Sequence, residues 1–60
     1  MSAYRFYTTR GDGHILGPAT DYDAGEDATA IELAKSMTKH ETFEIWQGVR
    51  FVARVWPKSN

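Results

Sequence analysis

The sequence predicts an α+β fold: a four-stranded antiparallel sheet made of two hairpins, in ββαββ order, with one helix packed on one face. Three observations predict it. Ala3 to Thr9 and Phe43 to Trp56 alternate their side chains with a period of two, as half-buried strands do. Between them a single segment spaces its apolar residues at the 3.6-residue period of a helix. Glycine-containing turns divide each β region in two.

The first strand covers about residues 3–9, with Tyr4, Phe6 and Thr8 on one side and Arg5, Tyr7 and Thr9 on the other. Arg10-Gly11-Asp12-Gly13 follows, and two glycines around an aspartate supply the positive φ angles of a tight turn. His14, Ile15 and Leu16 begin a second strand, about residues 14–17. Gly17-Pro18 disturbs it, because proline cannot donate to a ladder and is confined to edges and bulges. This strand is therefore expected at a sheet edge.

Asp21, Asp23, Glu26 and Asp27 gather just before the helical segment, where negative charge complements the helix dipole. Asp23 and Glu26 have capping-box spacing, with Gly25 as a rival N-cap. The helix is expected over about 26–39. Ala30, Ile31, Leu33, Ala34 and Met37 fall on one arc of the wheel, while Glu32, Lys35, Ser36 and Lys39 face away. Lys35, Lys39 and His40 lie near the C-terminal end, which favours cations.

The last two strands are expected at about residues 42–46 and 49–56. Val49, Phe51, Ala53 and Val55 alternate with Arg50, Val52, Arg54 and Trp56, so the first set should share the core face with Phe43 and Ile45. A three-residue loop, Trp46-Gln47-Gly48, with Gly48 left-handed in a G1 bulge, pairs Ile45 with Val49 and Phe43 with Phe51. The same register sets Glu44 opposite Arg50 on the outer face. Lys58-Ser59-Asn60 reads as a frayed tail.

These residues also resemble a family of short uncharacterised bacterial proteins. The likeness lies in Tyr4-Arg5-Phe6-Tyr7, Gly11-Asp12-Gly13, the helix start Glu26-Asp27-Ala28 with Ala30, Leu33 and Ala34, and Glu44-Ile45-Trp46-Gln47-Gly48 with Val52-Ala53-Arg54. Gly17-Pro18 and Trp56 fall outside its pattern. The resemblance implies a small two-layer domain and brings no catalytic residues with it.

Sixty residues make one small domain, 1–60, which buries only about 60% of the surface of its unfolded chain. The chain has no cysteine, which excludes disulfides, cysteine-ligated zinc and thiol chemistry and fits a cytoplasmic protein. Seven Lys and Arg against eight Asp and Glu leave a net charge of −1, so no global field draws it to nucleic acid or to an anionic membrane. No apolar run approaches the roughly 20 residues that span a bilayer.

No motif with nucleophile, base or metal-ligand spacing stands out, and no catalytic, cofactor or metal residue is assigned. His14 and His40 have no partner that sequence places beside them. The four acidic residues before the helix lack the spacing of a calcium loop. Arg10-Gly11-Asp12 spells an integrin tripeptide, but a turn rich in Gly and Asp matches it by chance. One helix covers one side of a sheet, and the open side becomes the expected contact surface. Its residues are Arg5, Tyr7, Trp46, Arg50, Val52, Arg54 and Trp56. Arginines among rings suit a protein interface, here expected with a second copy of the chain, or, as the second reading, stacking on single-stranded nucleic acid. A non-enzymatic binding or adaptor module is the function expected.

Overall fold

A computed structural model describes residues 2–10 and 14–57. Its elements are β1 (Ser2–Thr9), β2 (Thr20–Ala24), α1 (Asp27–Met37), β3 (Thr42–Gln47) and β4 (Arg50–Val55). The strands form one antiparallel sheet in the order β2-β1-β3-β4, and α1 packs on one face against β2, β3 and β4. Since β2 and β3 both run antiparallel to β1, they are parallel to each other, and joining them requires a crossover. The helix is that crossover.

The core follows from the alternation along each strand. Tyr4 and Phe6 of β1, Ala24 of β2, Phe43 and Ile45 of β3 and Val55 of β4 are buried under Ala30 and Ala34 of the helix. Two alanines at the centre let the helix approach the sheet closely, and the larger Ile31, Leu33 and Met37 pack around them. The rings of Phe6 and Tyr22 lie 4.7 Å apart, binding β1 to β2 within that layer.

The second strand lies at Thr20–Ala24, not at 14–17. Ile15 makes only an isolated bridge to Thr9, beside a hydrogen bond from the Leu16 N–H to the Thr8 carbonyl at 2.8 Å. Gly17-Pro18 then interrupts the ladder, which resumes where Thr20 meets Phe6. Three steps along β1, Thr9 to Phe6, are thus matched by five of the returning chain, Ile15 to Thr20. The turn expected at Gly11-Asp12-Gly13 lies outside the described residues. Beside it, the Arg10 N–H donates to the His14 carbonyl at 2.8 Å. The tail expected at 58–60 is outside them as well.

This shift reassigns the acidic cluster. Asp21 and Asp23 are exposed residues of β2, alternating with inward Tyr22 and Ala24, and only Asp27 remains in the first helical turn. Glu26 takes the N-cap position without a side-chain capping bond, so the expected capping box is not formed. The helix also stops at Met37, two residues short of the expected end. Local polar bonds compete there: Thr38 turns extended, its hydroxyl donates to the Glu41 carbonyl, and the Glu41 carboxylate accepts the N–H groups of Lys39 (2.8 Å) and His40 (3.3 Å). Those backbone donors hold the Glu41 carboxyl below its ordinary pKa.

The second hairpin corrects the expected register. Gln47 pairs with Arg50 across a two-residue turn, Gly48-Val49, in which Gly48 alone has positive φ, +62°. That is the signature of a type II′ turn with glycine first. Trp46 then faces Phe51, but Ile45 faces Ala53, so Val52 is an extra residue, a bulge. The bulge turns Val52, Ala53 and Val55 toward the helix and leaves Phe51 outside. Phe51 and Val49, both expected in the core, are exposed, Val49 almost completely. Glu44 faces Arg54 rather than Arg50.

Candidate functional site

The face of the sheet turned away from α1 carries the side chains that alternate with the core. Inter-strand pairing sorts them into rows across the strands, and two of these rows carry rings and charges together. Asp21, Arg5, Trp46 and Phe51 form one row, from β2 to β4. Tyr7, Glu44 and Arg54 form the next. Trp56, just beyond β4, is more than half exposed.

The polar groups of these rows neutralise each other. The Arg5 Nε donates to Asp21 Oδ1 at 3.0 Å, and the Asp21 carboxylate, with Tyr7 second, raises the guanidinium's pKa above its ordinary value. Arg54 Nη2 donates to Glu44 Oε2 at 2.6 Å, and Trp46 Nε1 donates to Glu44 Oε1 at 3.3 Å. Arg54 also lies over the Trp56 ring, 5.7 Å from its centre, and Trp46 meets Phe51 edge to face at 5.3 Å. A groove of about 380 Å³ runs over this surface, lined by Tyr7, Ile15, Glu44, Trp46, Gly48 and Val49. Ile15, Val49, Phe51 and Trp56 are all about half exposed or more.

Of the residues expected on this face, the structure brings together Arg5, Tyr7, Trp46, Arg54 and Trp56. Arg50 and Val52 do not join them, because the Gly48-Val49 turn and the bulge direct both to the helix side. Val52 packs against the core. Arg50 forms a two-point contact with Asp27, Nη1 to Oδ2 at 3.0 Å and Nη2 to Oδ1 at 2.9 Å, and Nη2 reaches Gln47 Oε1 at 2.6 Å. The Tyr4 hydroxyl donates to Asp27 Oδ1 at 2.7 Å. Arg50 first, then Tyr4, lowers the Asp27 carboxyl to about 2, while the Tyr4 hydroxyl is raised, chiefly by its bond to that carboxylate. This cluster ties the hairpin tip and β1 to the start of the helix.

Phe51, Asp21 and Asp23 are face residues that the sequence reading missed. A glycine-first turn at Gly48-Val49 was the available signal for Phe51, since it sets Trp46 opposite Phe51 directly. For Asp21, exposed on β2 beside Arg5, no local signal separates a strand charge from a helix N-terminal one. Among the described residues, no three His, Asp or Glu side chains gather as a metal centre would require, and no helix is long and apolar enough to cross a membrane. No protein-family model, no curated protein and no solved structure matches this chain.

Proposed function

We propose that this protein is a non-enzymatic binding module whose uncovered sheet face meets another protein, with a second copy of the chain as first partner. One observation carries the reading: an open face presents the Trp46–Phe51 pair and Trp56 among charges of which Arg5, Asp21, Glu44 and Arg54 are paired within the chain. Exposed aromatic rings beside arginine are the residue types that anchor protein interfaces. The same pairing argues against nucleic acid, which needs guanidinium groups uncommitted to carboxylates. Arg5, Arg50 and Arg54 each hold one. The edges of the sheet are less inviting than its face. β2 carries two aspartates close after Pro18, and β4 carries two arginines and a bulge, all features that discourage strand addition. A cytoplasmic setting and the likeness to short uncharacterised bacterial proteins belong to the same proposal, the first resting on the absence of cysteine and the second on core and turn positions.

The face is small. Four strands about 4.8 Å apart and six residues long at about 3.3 Å each give roughly 400 Å² of flat area per copy, the low end for specific contacts. Association should therefore be weak, and sedimentation equilibrium is best read at protein concentrations on the order of 0.1 to 1 mM. A 6.8 kDa chain should then approach twice its mass, and Trp56→Ala should shift it back toward monomer. A chain that stays monomeric throughout overturns self-association. Binding of a single-stranded oligonucleotide at low salt, lost steeply as salt rises, would move the reading to nucleic acid.

A further inference from the structure

The charges of the open face follow a sequence of signs. Reading across the sheet, β2 presents Asp21 and Asp23, β1 presents Arg5, β3 presents Glu44 and β4 presents Arg54. The order is minus, plus, minus, plus, and each sign stands on its own strand. Read backward, it becomes plus, minus, plus, minus. Two copies stacked face to face can relate their strand orders in two simple ways. A two-fold axis perpendicular to the strands lays each strand over its own counterpart, so that every charge meets its like. A two-fold axis parallel to the strands lays β2 over the partner's β4 and β1 over the partner's β3, so that every strand meets one of opposite charge.

We infer that the chain forms a face-to-face homodimer about a two-fold axis parallel to its strands, which matches opposite charges on every strand of the open face. This rests on the self-association proposed above and specifies its geometry. In that arrangement Trp46 lies over the partner's Arg5 in the same row, a cation placed on the indole face. Tyr7 lies over the partner's Glu44, a hydroxyl above a carboxylate. Asp21 and the partner's Arg54 stand in neighbouring rows, one pleat repeat of roughly 7 Å apart, a gap that an arginine side chain bridges. Sheets packed in this way cross at about 30°, which preserves the strand-over-strand match at the centre. Within the chain four of these charges form two pairs, Arg5 with Asp21 and Arg54 with Glu44. The dimer extends each into a network spanning both copies, and four mutually opposed charges limit each other's freedom more than an isolated surface pair does.

Single charge reversals at the two edges test the axis. With the axis parallel to the strands, Asp21→Lys sets lysine against the partner's Arg54 twice per dimer, and Arg54→Glu sets glutamate against the partner's Asp21 twice. Each variant alone should weaken the dimer by roughly tenfold or more in sedimentation equilibrium. An equimolar mixture should restore association, because each new charge then faces its opposite across the interface. A defect in folding would not be rescued by mixing, so recovery reads the contact itself. With the axis perpendicular to the strands, each edge faces its own copy, and either reversal leaves like facing like. Reversed variants that associate as the unaltered chain does would thus overturn this inference while leaving self-association standing. An unaltered chain that never dimerises would overturn both.

Discussion

Asp27 accepts three hydrogen bonds from Tyr4 and Arg50, and its pKa follows from them. The carboxyl titrates at about 2 in the folded chain against 3.8 when unperturbed. A lowered carboxyl contributes stability that is complete above the unfolded value and is lost as pH falls through the folded one. Stability should therefore decline between about pH 4 and pH 2, and urea midpoints of Asp27→Asn should decline less over that window. Parallel curves would show the contact to be of no consequence for folding. The contact is about half exposed, so the effect is damped by solvent. Ile45 is the opposite case, fully buried with no polar role, and Ile45→Ala should cost about 2 to 5 kcal/mol in urea unfolding. Neighbouring Phe51 and Val52 offer a sharper contrast. A carboxylate at Val52 would enter the layer beneath the helix, whereas one at Phe51 would stand in solvent. Val52→Asp should lower the melting temperature well beyond Phe51→Asp, and equal losses would contradict the bulge.

At the scale of elements, the second hairpin shows what local sequence can and cannot specify. Gly48 has positive φ and nothing within 4 Å of the position a Cβ would occupy. Gly48→Ala should therefore cost about 1 to 2 kcal/mol through backbone strain alone, measured by thermal melting. A neutral result would show the turn to be of another type. The alternation from Val49 to Trp56 was legible as strand, and the left-handed Gly48 was legible as well. Its register was not. A continuous ladder from a two-residue turn would have turned Val52 inward but Val55 outward, and only an extra residue lets Val52, Ala53 and Val55 all reach the core. What selects the bulge is burial against α1, a contact far away in sequence. β2 has the same history. Proline explained why the chain leaves the ladder at Gly17-Pro18, but the return at Thr20 depends on Tyr22 reaching Phe6 and Ala24 entering the core. The apolar stripe of α1, in contrast, appears as read, because a helix carries its period within itself. Its end does not, since Thr38 and Glu41 draw the backbone into their own bonds.

For the whole molecule, a domain of this size has a thin margin of stability, and the proposed association would add to it. The melting temperature should rise with protein concentration, by about 4 to 8 °C for each kcal/mol that dimerisation contributes. A concentration-independent melt would argue for a monomer. Trp46 and Trp56 both lie on the open face, so tryptophan emission should shift to the blue as concentration increases. The sequence by itself determined the α+β class, the ββαββ order, the helix stripe and the presence of one uncovered, ring-bearing face. Periods of two and 3.6 and the count of one helix are local properties, and they suffice for that much. Only the tertiary structure decided the strand order β2-β1-β3-β4, the place of β2, the bulge at Val52 and the partners of Arg5, Arg50 and Arg54. Each of those choices is made by burial between residues distant in the chain, where one step of register changes which face a side chain meets.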